Sequence, residues 1–186
     1  MRIVGGKFKN HSIAPPSGSA MRPTSDRVRE SIFNILAHGI EGFELEGARV
    51  LDIFAGTGAL GLEAISRGAR FCQFVDDSAE ARALIRKNAD ALGIIGLVKI
   101  WRRDATDLGP CSPQPAFDLA FADPPYDKGL GEKALVALLT GQWLNPHAIV
   151  VLEEAAKAEV ADLEGLTLLD RRDYGDTQVR FYRNGL

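Results

Sequence analysis

Carboxylates follow four apolar stretches of this sequence, at positions where they could bind a ligand or take part in a reaction. Asp52 leads into a glycine-rich loop within DIFAGTGALG, residues 52–61. Asp76 and Asp104 follow the second and third stretches, and the fourth ends in Asp123-Pro-Pro-Tyr. Carboxylates accept hydrogen bonds from hydroxyl and amine groups and attract cations. These residues therefore indicate a site for a hydroxyl-rich or positively charged ligand, beside an acid that accepts N–H bonds.

The four stretches belong to an alternation of strands and helices that begins at residue 48. The predicted strands are ARVLDIF, RFCQFVD, LVKIWRRD, FDLAFAD and HAIVVLEE, and one intervening helix opens at Ser78 and closes at Gly93. Apolar strands separated by helices predict an α/β fold with a parallel sheet covered on both faces. The tail predicts two more strands around a turn at Tyr174–Asp176, which add an antiparallel edge. Ligands of such sheets bind beyond the carboxyl ends of the strands, where the acids fall.

The first thirty residues are basic, whereas the rest of the chain is acidic. They hold six basic and two acidic residues, a net charge of +4, and the remainder carries −7. Residues 1–20 predict a basic β-hairpin extension, and residues 21–186 the main domain. A basic arm on an acidic body suits a polyanionic partner, with a solvated basic terminus as the alternative.

The first helix is predicted to begin at Asp26 and to be capped by Thr24 or Ser25. Arg27 and Arg29 fall on its polar side. They could face a polyanion or form surface ion pairs with neighbouring acids.

Composition and the remaining residue types exclude several other classes. A hydrophobic fraction of 46% and a charged fraction of 25% are typical of a globular domain with one core. Cys72 and Cys111 show no C-x-x-C spacing and the histidines form no cluster, so neither a disulfide framework nor a metal site is expected. There is no signal-peptide pattern and no apolar run approaching the roughly 20 residues that cross a bilayer. We therefore expect a soluble, cytoplasmic protein without a membrane partner.

The glycines at 56, 58 and 61 satisfy G-x-G-x-x-G, which usually indicates a dinucleotide-binding turn and hence an oxidoreductase. Asp52 argues against this, because a carboxylate there would repel a diphosphate by about a kcal/mol or more. A cationic ligand without phosphates fits better, and S-adenosylmethionine is such a ligand. Gly56 and Gly58 would then allow close backbone approach, whereas Gly61 is expected to pack a helix without touching the cofactor.

Two further acids extend this interpretation. Asp76 is placed to accept both ribose hydroxyls of such a cofactor, in charged hydrogen bonds worth roughly 1.5–3 kcal/mol, although the adjacent Asp77 could do so instead. Asp104 could accept the adenine amino group. One acid after a strand is more often a helix cap or a solvated loop residue, but three in order with D-x-F-x-G-x-G are hard to obtain by accident.

The DPPY turn predicts chemistry on a planar exocyclic amine, such as adenine N6 or guanine N2. Two prolines fix a stiff turn, and the amine is a poor nucleophile because its lone pair is delocalised into the ring. The Asp123 carboxylate and a proline carbonyl can each accept one N–H bond, which directs the lone pair toward the sulfonium methyl. Tyr126 can stack on the base, worth on the order of 1–3 kcal/mol. No covalent nucleophile is required.

Three long segments and the DPPY turn together resemble the bacterial 16S rRNA guanine-N2 methyltransferase family: RIVGGKFKNHSIAPP, RPTSDRVRESIFNIL and VLDIFAGTGALGLEAISRGA. The resemblance covers nearly the whole chain, and RPTSDRVRE is its discriminating part. It implies a seven-stranded Rossmann-like methyltransferase sheet, mostly parallel with an antiparallel edge, and a small N-terminal β-hairpin that helps to hold RNA. It also implies S-adenosylmethionine as cofactor, S-adenosylhomocysteine as product, and 16S rRNA in a partly assembled small ribosomal subunit as substrate. A monomer is expected.

Carried over residue by residue, the resemblance assigns a cofactor site and a catalytic turn. The cofactor site comprises Asp52, Ala55, Gly56, Thr57, Gly58, Asp76, Asp104 and Ala105, and the catalytic turn is Asp123, Pro124, Pro125 and Tyr126. The RNA contacts expected in the basic N-terminal region are Arg2, Lys7, Lys9 and Arg22, although Arg22 could instead close over the cofactor. Many relatives have Phe where this chain has Tyr126, so the resemblance assigns no role to the hydroxyl.

Three other functions stay open on the sequence. A DNA amino-methyltransferase could use the same turn, but it normally needs a sizeable domain to flip and read its base, and 186 residues leave little room. The glycine pattern leaves a Rossmann oxidoreductase as a less favoured choice. A binding module could keep the fold without turnover.

Overall fold

The structure is a computed structural model that describes residues 1–18 and 23–186, and in this part of the chain seven strands form one sheet. The strands are β1 Arg49–Ile53, β2 Phe71–Val75, β3 Val98–Trp101, β4 Phe117–Ala122, β5 Leu144–Ala155, β6 Leu166–Tyr174 and β7 Thr177–Asn184. Their spatial order is β3-β2-β1-β4-β5-β7-β6. Neighbouring strands from β3 to β5 pair in parallel, and β7 is antiparallel to both β5 and β6. The predicted parallel sheet and its antiparallel edge are confirmed.

The helices are α1 Asp26–His38, α2 Ala59–Ser66, α3 Ala79–Ala91 and α4 Leu130–Thr140, with a short 3₁₀ helix at Ile95–Leu97. Local sequence sets where α1 and α3 begin, because a serine hydroxyl accepts a backbone N–H of the first turn in each. Ser25 accepts from Val28 at 3.3 Å and Ser78 accepts from Ala81 at 3.2 Å, so of the two predicted caps for α1 the structure uses Ser25. Within the described ranges, no helix is both long and apolar enough to span a membrane.

The core lies on both faces of the sheet, as the apolar strands predict. Helices α1, α2 and α3 cover one face, where Phe33 and Phe74 are fully buried. Helix α4 covers the other face, where Leu135 of the helix and Trp143, just before β5, are fully buried. Strand β1 lies between β2 and β4, and the chain leaves β1 toward one face and β4 toward the other. The loops that follow these two strands therefore diverge and leave a crevice at the carboxyl edge of the sheet.

The N-terminal segment is more closely integrated than the predicted hairpin extension. Its antiparallel pairing is limited to one bridge, between Arg2 and Ser12, with Ile3 N–H donating to the His11 carbonyl at 3.0 Å. Ile3 and Ile13 are buried in the same core as α1 and α2. The segment binds chiefly to these helices, so it needs no long strand pairing of its own.

Glu63 of α2 explains how this segment is held. Its buried carboxylate accepts the backbone N–H groups of Val4 at 2.9 Å and Gly5 at 2.7 Å, and an N–H of Arg67 at 2.9 Å. It also lies 3.9 Å from Arg29 Nε. Arg29 was expected on the polar side of α1, with an ion pair to a neighbouring acid as one alternative. It is fully buried, and its guanidinium pairs with Asp26 of the same helix at 2.6 Å, with the charge of Glu63 nearby.

Gly61 packs α2 against β2, as the sequence predicts. A Cβ at this position would lie 2.4 Å from Phe74 Cε1 and 2.6 Å from Cys72 Sγ. We expect Gly61→Ala to lower the free energy of unfolding by about 1–3 kcal/mol through overpacking, measured by chemical denaturation. Gly96→Ala is the matched control, since a Cβ there meets no atom within 4 Å. Equal stability of the two variants would contradict the packing role.

Candidate active site

A cavity of about 660 Å³ opens at the carboxyl edge of the sheet, in the crevice beside β1 and β4. It is lined by the loops after β1, β2 and β4, the start of α1, the end of β5 and the β6–β7 turn. Several predicted residues meet there although they are far apart in sequence: Asp52, Ala55, Gly56, Thr57, Asp76, Asp123, Pro124, Pro125 and Tyr126. The cavity is the candidate active site.

The loop after β1 curves tightly against the cavity. Gly56 and Gly58 have φ of 55° and 78°, in the left-handed region that favours glycine. Gly58 is the N-cap of α2, and a Cβ there would lie 3.1 Å from Ile85 Cγ1. Phe54 has φ of 55° without being glycine, a conformation that costs on the order of 1–3 kcal/mol and often marks a functional loop. Phe54 lines the cavity, and no sequence pattern indicated it.

Asp52 lies at the floor of this loop. Its carboxylate accepts the Gly61 N–H at 3.0 Å and is almost fully buried. Burial, reinforced by the charge of Asp76, raises the Asp52 pKa to about 8 although the Gly61 bond acts in the opposite direction. Gly61 therefore has a second role besides packing, since its backbone holds an acid that faces the cavity.

Asp76 joins the second strand to the loop after the first. Its two carboxylate oxygens accept the N–H groups of Gly56 and Ser78, each at 2.9 Å. Each oxygen has a further lone pair, so the side chain keeps its capacity to accept hydroxyl groups. Asp77 also lines the cavity but is exposed. Because only Asp76 is fixed to the glycine loop by these bonds, it remains the better placed of the two for a ribose contact.

Asp123 and Tyr126 take part in a polar cluster at the opposite wall. Thr24 Oγ1 lies 3.5 Å from Asp123 Oδ2 and 3.2 Å from Glu153 Oε2. The Tyr126 hydroxyl donates to Glu153 Oε1 at 3.0 Å and lies 2.8 Å from Thr177 Oγ1. Burial, and then the nearby charges of Glu153 and Asp52, raise the pKa of Asp123 well above its ordinary range. Burial likewise raises the pKa of the Tyr126 phenol.

Three members of this cluster were not predicted from the sequence as cavity residues. Glu153 and Thr177 were not among the predicted residues, and Thr24 was expected only as a possible helix cap. For Glu153 a signal was present, because the fifth predicted strand also ends in acids, within HAIVVLEE. The rule that located the first four acids applies to it equally. Thr177 had no such signal, since only the turn between β6 and β7 brings it to the cavity.

Other predicted residues lie elsewhere. Asp104 is exposed, and its carboxylate accepts the N–H of Thr106 at 2.8 Å and its hydroxyl at 2.7 Å, while Ala105 is buried in the core behind it. Neither residue lines the cavity, and neither does Gly58. Arg2 pairs with Asp26 at 2.9 Å.

The remaining predicted RNA contacts also lie away from the cavity. Lys7 and Lys9 are exposed near the C-terminal end of α2, where Lys7 N–H donates to the Ser66 carbonyl. Arg22 lies outside the described residues.

The charged side chains that line the cavity favour cationic ligands over anionic ones. Among the described residues that line it, seven are acidic, and none is lysine, arginine or histidine: Asp52, Asp76, Asp77, Glu80, Asp123, Glu153 and Asp176. A diphosphate would meet like charge there, whereas a cation would be attracted. The arrangement can therefore hold a positively charged, hydroxyl-bearing molecule beside Asp52 and Asp76. It can also offer hydrogen-bond acceptors to a second molecule at Asp123.

Comparison with known proteins also indicates a methyltransferase. The family model described as "Conserved hypothetical protein 95" matches residues 1–183. A protein of Haemophilus influenzae named ribosomal RNA small subunit methyltransferase D is 32% identical over 99% of this chain and 94% of its own length. The protein of the same name from Escherichia coli is 35% identical over 82% of this chain and 74% of its own length.

The solved structure of yhhF from Escherichia coli superposes with a TM-score of 0.84 at 29% identity, covering 100% of this chain and 98% of that one. The likeness extends over the N-terminal segment, the sheet and the β6–β7 edge together. It agrees with the predicted Rossmann-like methyltransferase sheet. The chain therefore belongs to the family described as conserved hypothetical protein 95, with relatives named ribosomal RNA small subunit methyltransferase D.

Proposed function

We propose that this protein transfers a methyl group from S-adenosylmethionine to the exocyclic N2 amine of a guanine in 16S rRNA. One observation carries the proposal: the acidic, glycine-lined loop at Asp52 and the Asp123-Pro-Pro-Tyr turn face the same cavity. The names of the relatives support rRNA methylation as the reaction class. The choice of guanine N2 comes from the family resemblance of the sequence.

The residues present fit the proposed cofactor. S-adenosylmethionine supplies a methyl group on a positively charged sulfonium, attached to an adenosine and an amino-acid end. Asp52 places an acid where a cation would be favoured, and Asp76 would accept ribose hydroxyls while it holds Gly56 in place. Gly56, with its left-handed backbone, adds no side-chain atom of its own on the cavity side.

The DPPY turn prepares the substrate amine. The Asp123 carboxylate and a proline carbonyl accept the two N–H bonds of the amine, so its lone pair is directed across the cavity toward the loop at Asp52. Accepting both bonds also favours the positive charge that develops on the nitrogen. Asp123 then takes the surplus proton, and its raised pKa suits that step. Tyr126 provides a face on which the base can stack.

The RNA partner is proposed to be 16S rRNA in a partly assembled small subunit in the cytoplasm, with the protein acting as a monomer. Arg2, Lys7, Lys9 and Arg22 remain proposed RNA contacts. Helix α2 runs antiparallel to the strands that it connects, so its C-terminal end lies at the edge of the sheet opposite the cavity, about 12 Å from Gly58. Lys7 and Lys9 would therefore contact RNA remote from the target base.

The N-terminal segment offers a test that separates packing from RNA contact. We expect Ile3→Ala to lower the free energy of unfolding by about 2–5 kcal/mol, because Ile3 is fully buried. The double variant Lys7→Glu, Lys9→Glu should unfold like the wild type but bind 16S rRNA more weakly, with a smaller salt dependence. RNA affinity and salt slope are measured by filter binding. Unchanged values would remove the two lysines from the RNA-binding surface.

A pH dependence of cofactor binding follows from Asp52. With its pKa raised to about 8, this acid is mostly neutral in the free protein near pH 6. A bound cation favours the ionised form, so binding releases a proton and affinity should rise by up to about tenfold per pH unit between about 6 and 7.5. Calorimetry in buffers of different ionisation enthalpy measures both effects. Asp52→Asn should bind more weakly and without this slope; a slope retained in that variant would assign it to another group.

The decisive experiment is mass spectrometry of 16S rRNA from a strain that lacks the protein. We expect one guanine to lose its N2 methyl group, and expression of the wild-type chain, but not of an Asp123→Ala variant, to restore it. An unchanged methylation pattern would refute the assignment. Calorimetry adds a check on the oxidoreductase alternative, since S-adenosylhomocysteine should bind and NADH should not.

A further inference from the structure

Glu153 lies at the carboxyl end of β5 with its side chain in the active-site cavity, and the mechanism proposed above gives it no role. The residue is 7% exposed. Its two carboxylate oxygens contact different partners: Oε1 accepts the Tyr126 hydroxyl at 3.0 Å, and Oε2 accepts the Thr24 hydroxyl at 3.2 Å. One side chain therefore connects the segment before α1 with the turn after β4.

The directions of these bonds fix the phenol of Tyr126. The Tyr126 hydroxyl donates its proton to Glu153 Oε1. The same hydroxyl lies 2.8 Å from Thr177 Oγ1, and its own proton is already used, so Thr177 donates to it. The phenol oxygen is thus held from β5 on one side and from β7 on the other.

Thr24 extends the connection to Asp123. Its hydroxyl lies within reach of both Glu153 Oε2, at 3.2 Å, and Asp123 Oδ2, at 3.5 Å. A hydroxyl with one proton can donate to only one of them at a time, and Glu153 is the nearer of the two acceptors. Asp123 therefore keeps acceptor capacity for a substrate amine, while Thr24 limits where its carboxylate can lie.

We propose that Glu153 is a positioning residue that fixes the Tyr126 ring through its hydroxyl and restrains Asp123 through Thr24. The proposal builds on the methyl-transfer function above and gives the Tyr126 hydroxyl a role that phenylalanine cannot fill. A base that stacks on a fixed ring reaches the Asp123 carboxylate with little further loss of freedom. Glu153, at the end of β5, then orients the Tyr126 ring and the Asp123 carboxylate together.

The pKa of Asp123 provides a readout that a purely structural role of Glu153 would not change. Glu153 and Glu154 on β5 and Asp52 on β1 act on Asp123 and raise its pKa, in the same direction as its burial. Glu153→Gln keeps a carbonyl oxygen for the Tyr126 hydroxyl but removes one of these charges. The pKa of Asp123 should fall, and the acidic limb of the pH–rate profile should move to lower pH.

The test measures single-turnover methyl transfer to small-subunit particles from the deletion strain, together with S-adenosylhomocysteine affinity. Tyr126→Phe and Glu153→Ala should each slow transfer by about tenfold or more, with cofactor affinity within about twofold of wild type. The double variant should be no slower than Glu153→Ala, and Glu153→Gln should recover most of the rate. Tyr182→Phe, on the opposite side of the sheet, is the matched control. Multiplicative losses in the double variant, or no loss in Tyr126→Phe, would overturn the proposal.

A second measurement does not depend on activity. The chain has three tyrosines, so ¹³C-tyrosine NMR can be assigned with Tyr→Phe variants. The ζ-carbon resonance of Tyr126 should shift in Glu153→Ala and in Thr177→Val, while that of Tyr182 stays unchanged. An unshifted Tyr126 resonance would refute the pairing itself. Absence of methyl transfer by the wild-type chain, with the shift present, would instead count against the proposed function.

Discussion

Asp123→Ala is expected to lose methyl transfer while keeping cofactor binding. The substitution removes the carboxylate that accepts the amine N–H and the surplus proton, and loss of one such preorganised group typically costs on the order of 10²–10³-fold in rate. The substitution leaves the hydrogen bonds of the cofactor loop, from Gly61 to Asp52 and from Gly56 to Asp76, in place. Asp123→Asn keeps one acceptor oxygen but cannot take up a proton, so its rate should lie between those of wild type and alanine.

Single-turnover transfer to small-subunit particles and calorimetry with S-adenosylhomocysteine measure the two properties separately. Asp90→Ala, an exposed position on α3, is the matched control for the loss of one carboxylate. The raised pKa of Asp123 also predicts the direction of the pH dependence. The wild-type rate should fall as the pH drops through that pKa, because the protonated acid no longer accepts the amine N–H. Near-wild-type transfer by Asp123→Ala would show that the turn is not catalytic.

The second large effect is expected at Asp76. Asp76→Ala removes the proposed ribose acceptor and also the acceptor of the Gly56 N–H, so the loop itself loses an anchor. Loss of charged hydrogen bonds worth roughly 1.5–3 kcal/mol predicts a drop in cofactor affinity of about 10- to 150-fold. Calorimetric titration with S-adenosylhomocysteine measures it directly.

Asp77→Ala is the natural comparison, because the two acids are adjacent but Asp77 is exposed. Its affinity for S-adenosylhomocysteine should stay within about threefold of wild type. A larger loss in Asp77→Ala than in Asp76→Ala would assign the ribose contact to the second acid. The first acid would then be left with the structural bonds to Gly56 and Ser78.

The positions of the strands were predictable because their signals are local. Buried parallel strands are continuous apolar runs, helices α1 and α3 begin at serine caps, and acids mark where four of the strands end. The packing role of Gly61 was predictable for a different reason, since the chemistry of Asp52 ruled out the dinucleotide motif that Gly61 completes. The contact of Gly61 with Phe74 and Cys72 bears this out.

The N-terminal segment was not predictable in the same way. Its turn and prolines suggested a separate hairpin, yet Ile3 and Ile13 pack in the main core and Glu63 binds the segment across nearly sixty residues of sequence. The sequence offered the ion pair of Arg29 with Asp26, but not the full burial of Arg29 beside Glu63 of another helix. A charge partner on another element leaves no trace in a local pattern.

The sequence by itself determined which residues stand at the carboxyl ends of strands, and so offered four candidate acids for one site: Asp52, Asp76, Asp104 and Asp123. Only the tertiary structure decided which of them share a cavity. Asp104 follows β3 at the open edge of the sheet and turns back onto Thr106, whereas Glu153 at the end of β5 reaches Tyr126 and Thr24. The physical reason is that strand order in a sheet is set by long-range packing, and the crevice forms only where chain connections diverge beside β1 and β4.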